Sequence, residues 1–235
     1  MEDWTCLGQH KRQPEFPVVT RESRRDSGKT TWLPRHRKMK PFPATAPQEK
    51  SHVPLLDRLN GFDAVVLDAN LSQAALNFLS EKLTVPLYAD PVSTAKAEKL
   101  LPILPRLRAL KPNALEARHL TGEKEALRCA HALLNRGVKR VLLSLGAEGM
   151  LAAEGERVLR LPRQKITVVN TTGAGDAATA AMVWADLQGL DLETTARFSQ
   201  TAGALTCQCL EANSPDLAKL PEKFGIRSSE FGMDP

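Results

Sequence analysis

No stretch of eighteen or more apolar residues occurs in the 235-residue chain, and the N-terminus has no short apolar segment of secretory type. A membrane-spanning helix and an export signal are therefore not expected, and a cytoplasmic setting is the simplest expectation. Cysteine is scarce. Cys6, Cys129, Cys207 and Cys209 lack the paired Cys/His spacing of a tetrahedral zinc site, and the Cys-x-Cys at 207 and 209 reads as free thiols rather than a metal pair. Excess charge is also missing where a folded domain would carry it. The formal net charge is +5, yet residues 1–52 hold eleven Lys/Arg against six Asp/Glu, and residues 53–235 balance 21 of each sign. The basicity belongs to the leader, so a nucleic acid is not expected as the partner of the remainder, and a basic-tailed RNA-associated protein ranks last among the readings.

Residues 1–52 contain six prolines and show neither helical nor strand periodicity, so a disordered leader is expected there. Arg35, Arg37, Lys38 and Lys40 form a basic cluster within it, read as a solvated tail. The Asp26-Ser-Gly-Lys-Thr30 stretch has no preceding apolar strand and carries Ser23 where a phosphate loop needs its first glycine, so it is set aside. From Val53 the pattern changes. Ala64–Leu67, Val85–Ala89, Leu107–Leu110, Val141–Ser144, Met150–Ala153 and Ile166–Val169 read as strands. Helical patterns cover Ser72–Leu83, Glu123–Arg136 with Gly137 as C-cap, about Asp176–Leu187, and Leu192–Gln208. Strands alternating with helices predict an α/β protein, a mainly parallel sheet covered on both faces. The folded domain is expected over 53–220, with 221–235 as a tail.

Three segments carry chemistry. In Val169-Asn-Thr-Thr-Gly-Ala-Gly-Asp-Ala177 a turn of small residues leads into a helix whose first amides have no intrahelical partner, which makes an anion site. Gly173 and Gly175 allow close backbone approach, and Asp176 is either a helix-start carboxylate or a reactive one. Lys111-Pro-Asn-Ala-Leu-Glu116 places Asn113 and Glu116 at capping-box spacing. Ser144-Leu-Gly-Ala-Glu-Gly149 reads as a β-turn after a strand.

Thr171-Thr-Gly-Ala-Gly-Asp176 resembles the signature of the ribokinase-like (PfkB) kinases. The resemblance implies a three-layer α/β/α fold and ATP-dependent phosphoryl transfer to a nucleoside or sugar hydroxyl. Asp176 is then the general base, and the amides of Gly173, Ala174 and Gly175 face the transferred group. By the same resemblance Asn113 and Glu116 organise magnesium and the nucleotide phosphates, with Glu116 toward the metal. Ser144, Gly146 and Gly149 form the ATP turn, and Gln200 faces the adenine, although Ala202, Gly203 and Ala204 beside it read equally as helix packing. Val65–Ser72, Ala89-Asp-Pro-Val-Ser93, Leu110–Asn113 and Val168–Asp176 are similar to the pseudouridine-phosphorylating branch, which implies transfer to a 5′-hydroxyl. Asn170 stands where many members carry an Asp that helps hold a monovalent cation, so that ion stays open, as does a homodimer. The family's early substrate-binding Asp, its Gly-Gly motif and its β lid have no counterpart in residues 1–52, so the fold is expected truncated at the N-terminus and without the lid. The alternative function is a catalytically inactive nucleotide-binding fragment, or a half-domain that needs a partner.

Overall fold

The computed structural model describes residues 53–212 and 214–226; the leader and the residues after 226 lie outside it. Helix α1 (Val53–Asn60) precedes four strands, β1 (Val65–Asp68), β2 (Leu87–Asp90), β3 (Leu107–Leu110) and β4 (Arg140–Ser144). These pair in parallel in chain order. A turn at Gly146–Glu148 reverses the chain into β5 (Met150–Glu154), antiparallel to β4, and β6 (Arg157–Leu161) adds antiparallel to β5. All six described strands form one sheet in the order β1 to β6, so β1 has no strand on its outer side among the described residues.

Crossovers between adjacent parallel strands are right-handed, which sends successive connections to the same face. That face carries α2 (Gln73–Lys82), α3 (Thr94–Ala97) with the 3₁₀ stretch Glu98–Arg106, α4 (Ala114–Thr121) and α5 (Ala126–Asn135). Side chains alternate along the strands accordingly. Leu87, Ala89, Val141 and Leu143 enter the core beneath these helices with Leu76, Leu79, Leu104 and Leu133. Tyr88, Ala109 and Leu142 point the other way, against Met182, Val183, Leu192 and Ala196. The latter come from α6 (Ala174–Leu187) and α7 (Leu192–Cys207), which form the third layer. The expected three-layer α/β/α architecture is present.

Helices α6 and α7 approach closely because small residues line their contact. A Cβ on Gly203 would lie 3.2 Å from the Ala174 carbonyl oxygen, and Ala202 is fully buried. Trp184 and Phe198 stack at 4.9 Å between ring centroids, with Phe224 edge-on to Phe198 at 5.1 Å. Leu220, which opens α8 (Leu220–Lys223), and Ile226 join this cluster. Packing thus continues past the boundary expected at residue 220, because the short helix lays apolar side chains on the α6–α7 pair.

Two local expectations change. β6 was not expected, and Ile166–Val169, expected as a strand, belongs to none. The Val169 and Asn170 amides instead donate to the Cys207 carbonyl at 2.8 and 3.2 Å, one of the carbonyls that the end of α7 leaves without an intrahelical partner. Gln164 Nε2 donates to Thr201 Oγ1 at 2.6 Å, so the segment is laced to α7 and leaves Val168 and Val169 58% and 50% exposed.

Candidate active site

The carboxyl ends of β1 to β4 deliver polar residues to one edge of the sheet, where open α/β folds bind ligands. β1 and β2 end on Asp68 and Asp90, β3 runs into Lys111-Pro112-Asn113, and β4 ends on Ser144. From the opposite layer α6 brings its N-terminus to the same edge. Thr179, in the second turn of α6, places its hydroxyl 2.8 Å from Asp90 Oδ2 and 3.0 Å from the Gly175 carbonyl.

The α6 start is built by a tight turn. Asn170 Oδ1 accepts from the Thr172 amide at 3.0 Å, and its Nδ2 donates to the Leu210 carbonyl at 2.8 Å. Gly173 is the N-cap at φ +80°, and a Cβ there would lie 2.0 Å from the Ala212 carbonyl oxygen, so only glycine fits. No side chain caps this helix. The Ala174 amide turns back toward the Thr171 carbonyl at 3.3 Å, whereas Gly175 and Asp176 are exposed in the first turn. A helix start whose glycine N-cap makes no side-chain capping hydrogen bond among the described residues, carrying a carboxylate, suits an anionic ligand whose acceptor group must lose a proton.

On the other layer Asn113 and Glu116 complete the capping box. Asn113 Oδ1 accepts from the Leu115 and Glu116 amides, both at 2.9 Å, and Glu116 Oε2 accepts from the Asn113 amide at 2.9 Å. Glu116 is buried, and burial raises its pKa above the ordinary value, with the Asp90 charge adding to the effect and the Asn113 amide opposing it. Asp68 is raised for the same leading reason, although Asn70 donates its amide to Oδ1 at 2.7 Å. Carboxylates held in this way favour a nearby cation.

Ser144 meets Asn113 through an isolated parallel bridge, its amide donating to the Pro112 carbonyl at 2.9 Å. The turn that follows closes by a hydrogen bond from the Leu145 amide to the Gly149 carbonyl. A Cβ on Gly146 would meet nothing within 4 Å, so this bend is open, while one on Gly149 would strike the Leu161 carbonyl oxygen at 2.1 Å. The structure therefore groups Asn113, Glu116, Ser144 and Gly146 at one edge with the α6 turn. Gln200 points elsewhere, donating Nε2 to the Pro162 carbonyl at 3.0 Å.

Sequence reasoning assigned no role to Asp90, Lys111 or Thr179, which tie the two layers together. Lys111 is 5% exposed, its Nζ lies 3.8 Å from Asp90 Oδ2, and a Cβ built on Gly175 would sit 3.9 Å from that Nζ. Asp90 Oδ1 also accepts from the Val92 amide at 2.9 Å. Val92 adopts φ +64°, a strained value for a β-branched residue and the one non-glycine example among the described residues. The available signal was position for two of them, since Asp90 closes the apolar strand β2 and Lys111 directly follows β3, whereas Thr179 lies inside α6. No group of three or more His, Cys, Asp or Glu side chains able to hold a metal occurs among the described residues, and the described cysteines are free thiols.

The model of the pfkB family carbohydrate kinases matches residues 58–219. Pseudouridine kinase of Escherichia coli strain K12 is 33% identical over 162 residues, which cover 66% of this chain and 51% of that protein. D-tagatose-1-phosphate kinase of Bacillus licheniformis is 36% identical over 103 residues, 41% of this chain and 34% of its own length. The chain thus spans about half, or less, of these relatives. Ribokinase of Thermotoga maritima superposes with a TM-score of 0.65 at 24% identity, covering 76% of this chain and 62% of the other. Arabidopsis thaliana ribokinase, solved with ribose and ATP, gives 0.60 at 25% identity, covering 72% and 58%. With the strand-end residues, the α6 turn and the family match over more than half its length in agreement, the chain belongs to the pfkB family of carbohydrate kinases.

Proposed function

We propose that this domain handles the nucleotide and the transferred group in an ATP-dependent kinase whose acceptor is a nucleoside or sugar hydroxyl, the 5′-hydroxyl of pseudouridine foremost. The observation that carries the reading is Asp176 in the uncapped first turn of α6, joined across the site to Asp90 by Thr179. The acceptor hydroxyl gives its proton to the Asp176 carboxylate while its oxygen bonds to the terminal phosphorus of ATP. The bond from that phosphorus to the bridging oxygen breaks, and ADP leaves. Backbone at Gly173, Ala174 and Gly175 faces the transferred group, and Asn113, Ser144, Gly146 and Gly149 contact the nucleotide. Gln200 in this reading holds the Pro162 segment on α7 rather than the adenine.

The donor chemistry fits magnesium, which takes oxygen ligands and needs only one or two carboxylates beside phosphate and water. Glu116 and Asp90 would hold it, directly or through water, and it would supply neutralising charge to the phosphates. Asn170 already engages both its polar atoms in the turn, so no monovalent cation is assigned to it. No helix among the described residues is long and apolar enough to cross a membrane, and the proposal places the enzyme in the cytoplasm. The choice of pseudouridine rests on the 33% identical relative, since other relatives are named as sugar-phosphate kinases.

ADP release measured with pseudouridine, uridine, ribose, fructose 1-phosphate and no acceptor tests this. Highest turnover with pseudouridine is expected, and preference for a sugar phosphate would overturn the acceptor assignment. A second reading, a nucleotide-binding half completed by another polypeptide, is favoured by the half-length match and by the side of β1 that has no strand partner among the described residues. It predicts ATP binding without turnover until the N-terminal half of a relative is added.

A further inference from the structure

Val92 stands just past the carboxyl end of β2 in a conformation that costs energy. The Ser93 amide donates to the Pro91 carbonyl at 2.7 Å around Val92 at φ +64°, a three-residue turn of the rare, strained kind. A β-branched residue is ill suited to that position, which glycine would adopt without penalty. The turn is held because Asp90 Oδ1 accepts from the Val92 amide at 2.9 Å, while Oδ2 of the same carboxylate accepts from Thr179 on α6. Val92 is thereby fixed relative to the helix that carries Asp176. Its side chain belongs to none of the hydrophobic clusters of the described residues and is 43% exposed. Strain maintained by the surrounding structure, around an apolar side chain the core does not use, points to contact with a ligand.

Strand order decides which ligand. Asn113 follows β3 and Ser144 ends β4, whereas α6 meets the end of β2 through Thr179. With the nucleotide over β3 and β4, the acceptor is left the β1–β2 side of the α6 turn, which is where Val92 stands. Resting on the reading of a kinase with a nucleoside acceptor, we infer that Val92 is a specificity-determining residue whose two methyl groups form a wall against the flat face of the acceptor's base. Burial of those methyl groups favours a ligand with an apolar face, which a nucleoside has and a bare sugar lacks. The turn is already rigid, so little conformational freedom is lost on contact.

The test is a calorimetric titration of the full chain with pseudouridine and with ribose, in the presence of magnesium and a non-hydrolysable ATP analogue. Val92→Gly removes the wall and suits the turn, and Val92→Ala removes the methyl groups but keeps the Cβ. In Val92→Gly the affinity for pseudouridine is expected to fall about 5- to 20-fold, the scale of burying one valine side chain, with ribose and the analogue bound as by wild type. Val92→Ala loses most of the same factor, and Val92→Ile retains the preference for the nucleoside. Urea unfolding of Val92→Gly is expected to give a midpoint at or above that of wild type, because the left-handed strain is released, so the lost affinity is not lost folding. Equal weakening toward both acceptors, or toward neither, in a wild type that prefers pseudouridine overturns the inference while leaving the kinase reading intact. A wild type that binds neither acceptor, alone or with the N-terminal half of a relative added, overturns both together.

Discussion

The Thr179 hydroxyl on α6 meets Asp90 Oδ2 at the end of β2 at 2.8 Å, 89 residues away in sequence. This is a tie between two layers, and it sets the α6 turn against the strand ends. Thr179→Val keeps the shape and removes the hydroxyl, leaving Asp90 with one fewer donor. A stability loss of about 1–3 kcal/mol is expected from urea unfolding, the range for a buried polar partner left unmatched. No change in midpoint would show that the tie does not contribute.

The capping box makes a second, separable prediction. Asn113→Ala removes the acceptor for two amides and should cost about 1 kcal/mol. Glu116→Gln keeps an oxygen for the Asn113 amide and should cost less, yet it should weaken the magnesium dependence of ATP binding. Equal magnesium dependence in Glu116→Gln and wild type would leave Glu116 as a cap alone.

At the opposite end of the sheet Asp186, its side chain 4% exposed, accepts from Tyr88 Oη at 2.6 Å and pairs with Arg108 at 2.7 Å and Arg140 at 2.8 Å. Glu154 bridges the same two guanidiniums. Removing one member of such a buried cluster strands the others, so Asp186→Ala should cost about 3–5 kcal/mol. Arg160→Ala, which breaks an exposed bridge to Glu148, should cost at most about 1 kcal/mol. Thermal melts of the two variants make the comparison.

The acids of the two ends should give stability of opposite pH dependence. Burial pushes Glu154 up, but hydrogen bonds from Arg140 and Arg108 outweigh it and leave its pKa below the ordinary 4.5. Its contribution is present above pH 4.5 and is lost as pH falls through the lowered native value. Asp68 is raised above 3.8, chiefly by burial, so the native state holds a proton that the unfolded chain releases. That contribution is complete below pH 3.8 and is lost as pH rises through the native value. Asp68→Asn should therefore gain stability relative to wild type as pH rises from 4 to 7, in denaturant titrations at each pH. A constant difference across that range would contradict the assignment.

The α/β layering was legible because β1 to β3 are short apolar runs, each followed by a polar turn and a helix start such as Ser72 or Asn113. β6 was not, since Arg157 and Arg160 interrupt its apolar pattern and its order comes from pairing with β5. Ile166–Val169 has the apolar content of a strand, but its amides found helix-end carbonyls rather than a sheet edge. The α6 turn could be read from Gly173 to Asp176 because its chemistry is local. Asp90, Lys111 and Thr179 could not, because their meeting is set by the packing of two helical layers across the sheet and leaves no spacing along the chain.

The central claim is that Asp176 takes the proton from the acceptor hydroxyl. Asp176→Asn preserves the size and the helix-start geometry but cannot act as a base. ADP release with pseudouridine should fall by about 10²- to 10⁴-fold, while ATP affinity, measured by calorimetry on the same preparation, stays close to wild type. Acceptor-dependent turnover in Asp176→Asn at the wild-type rate would contradict the account.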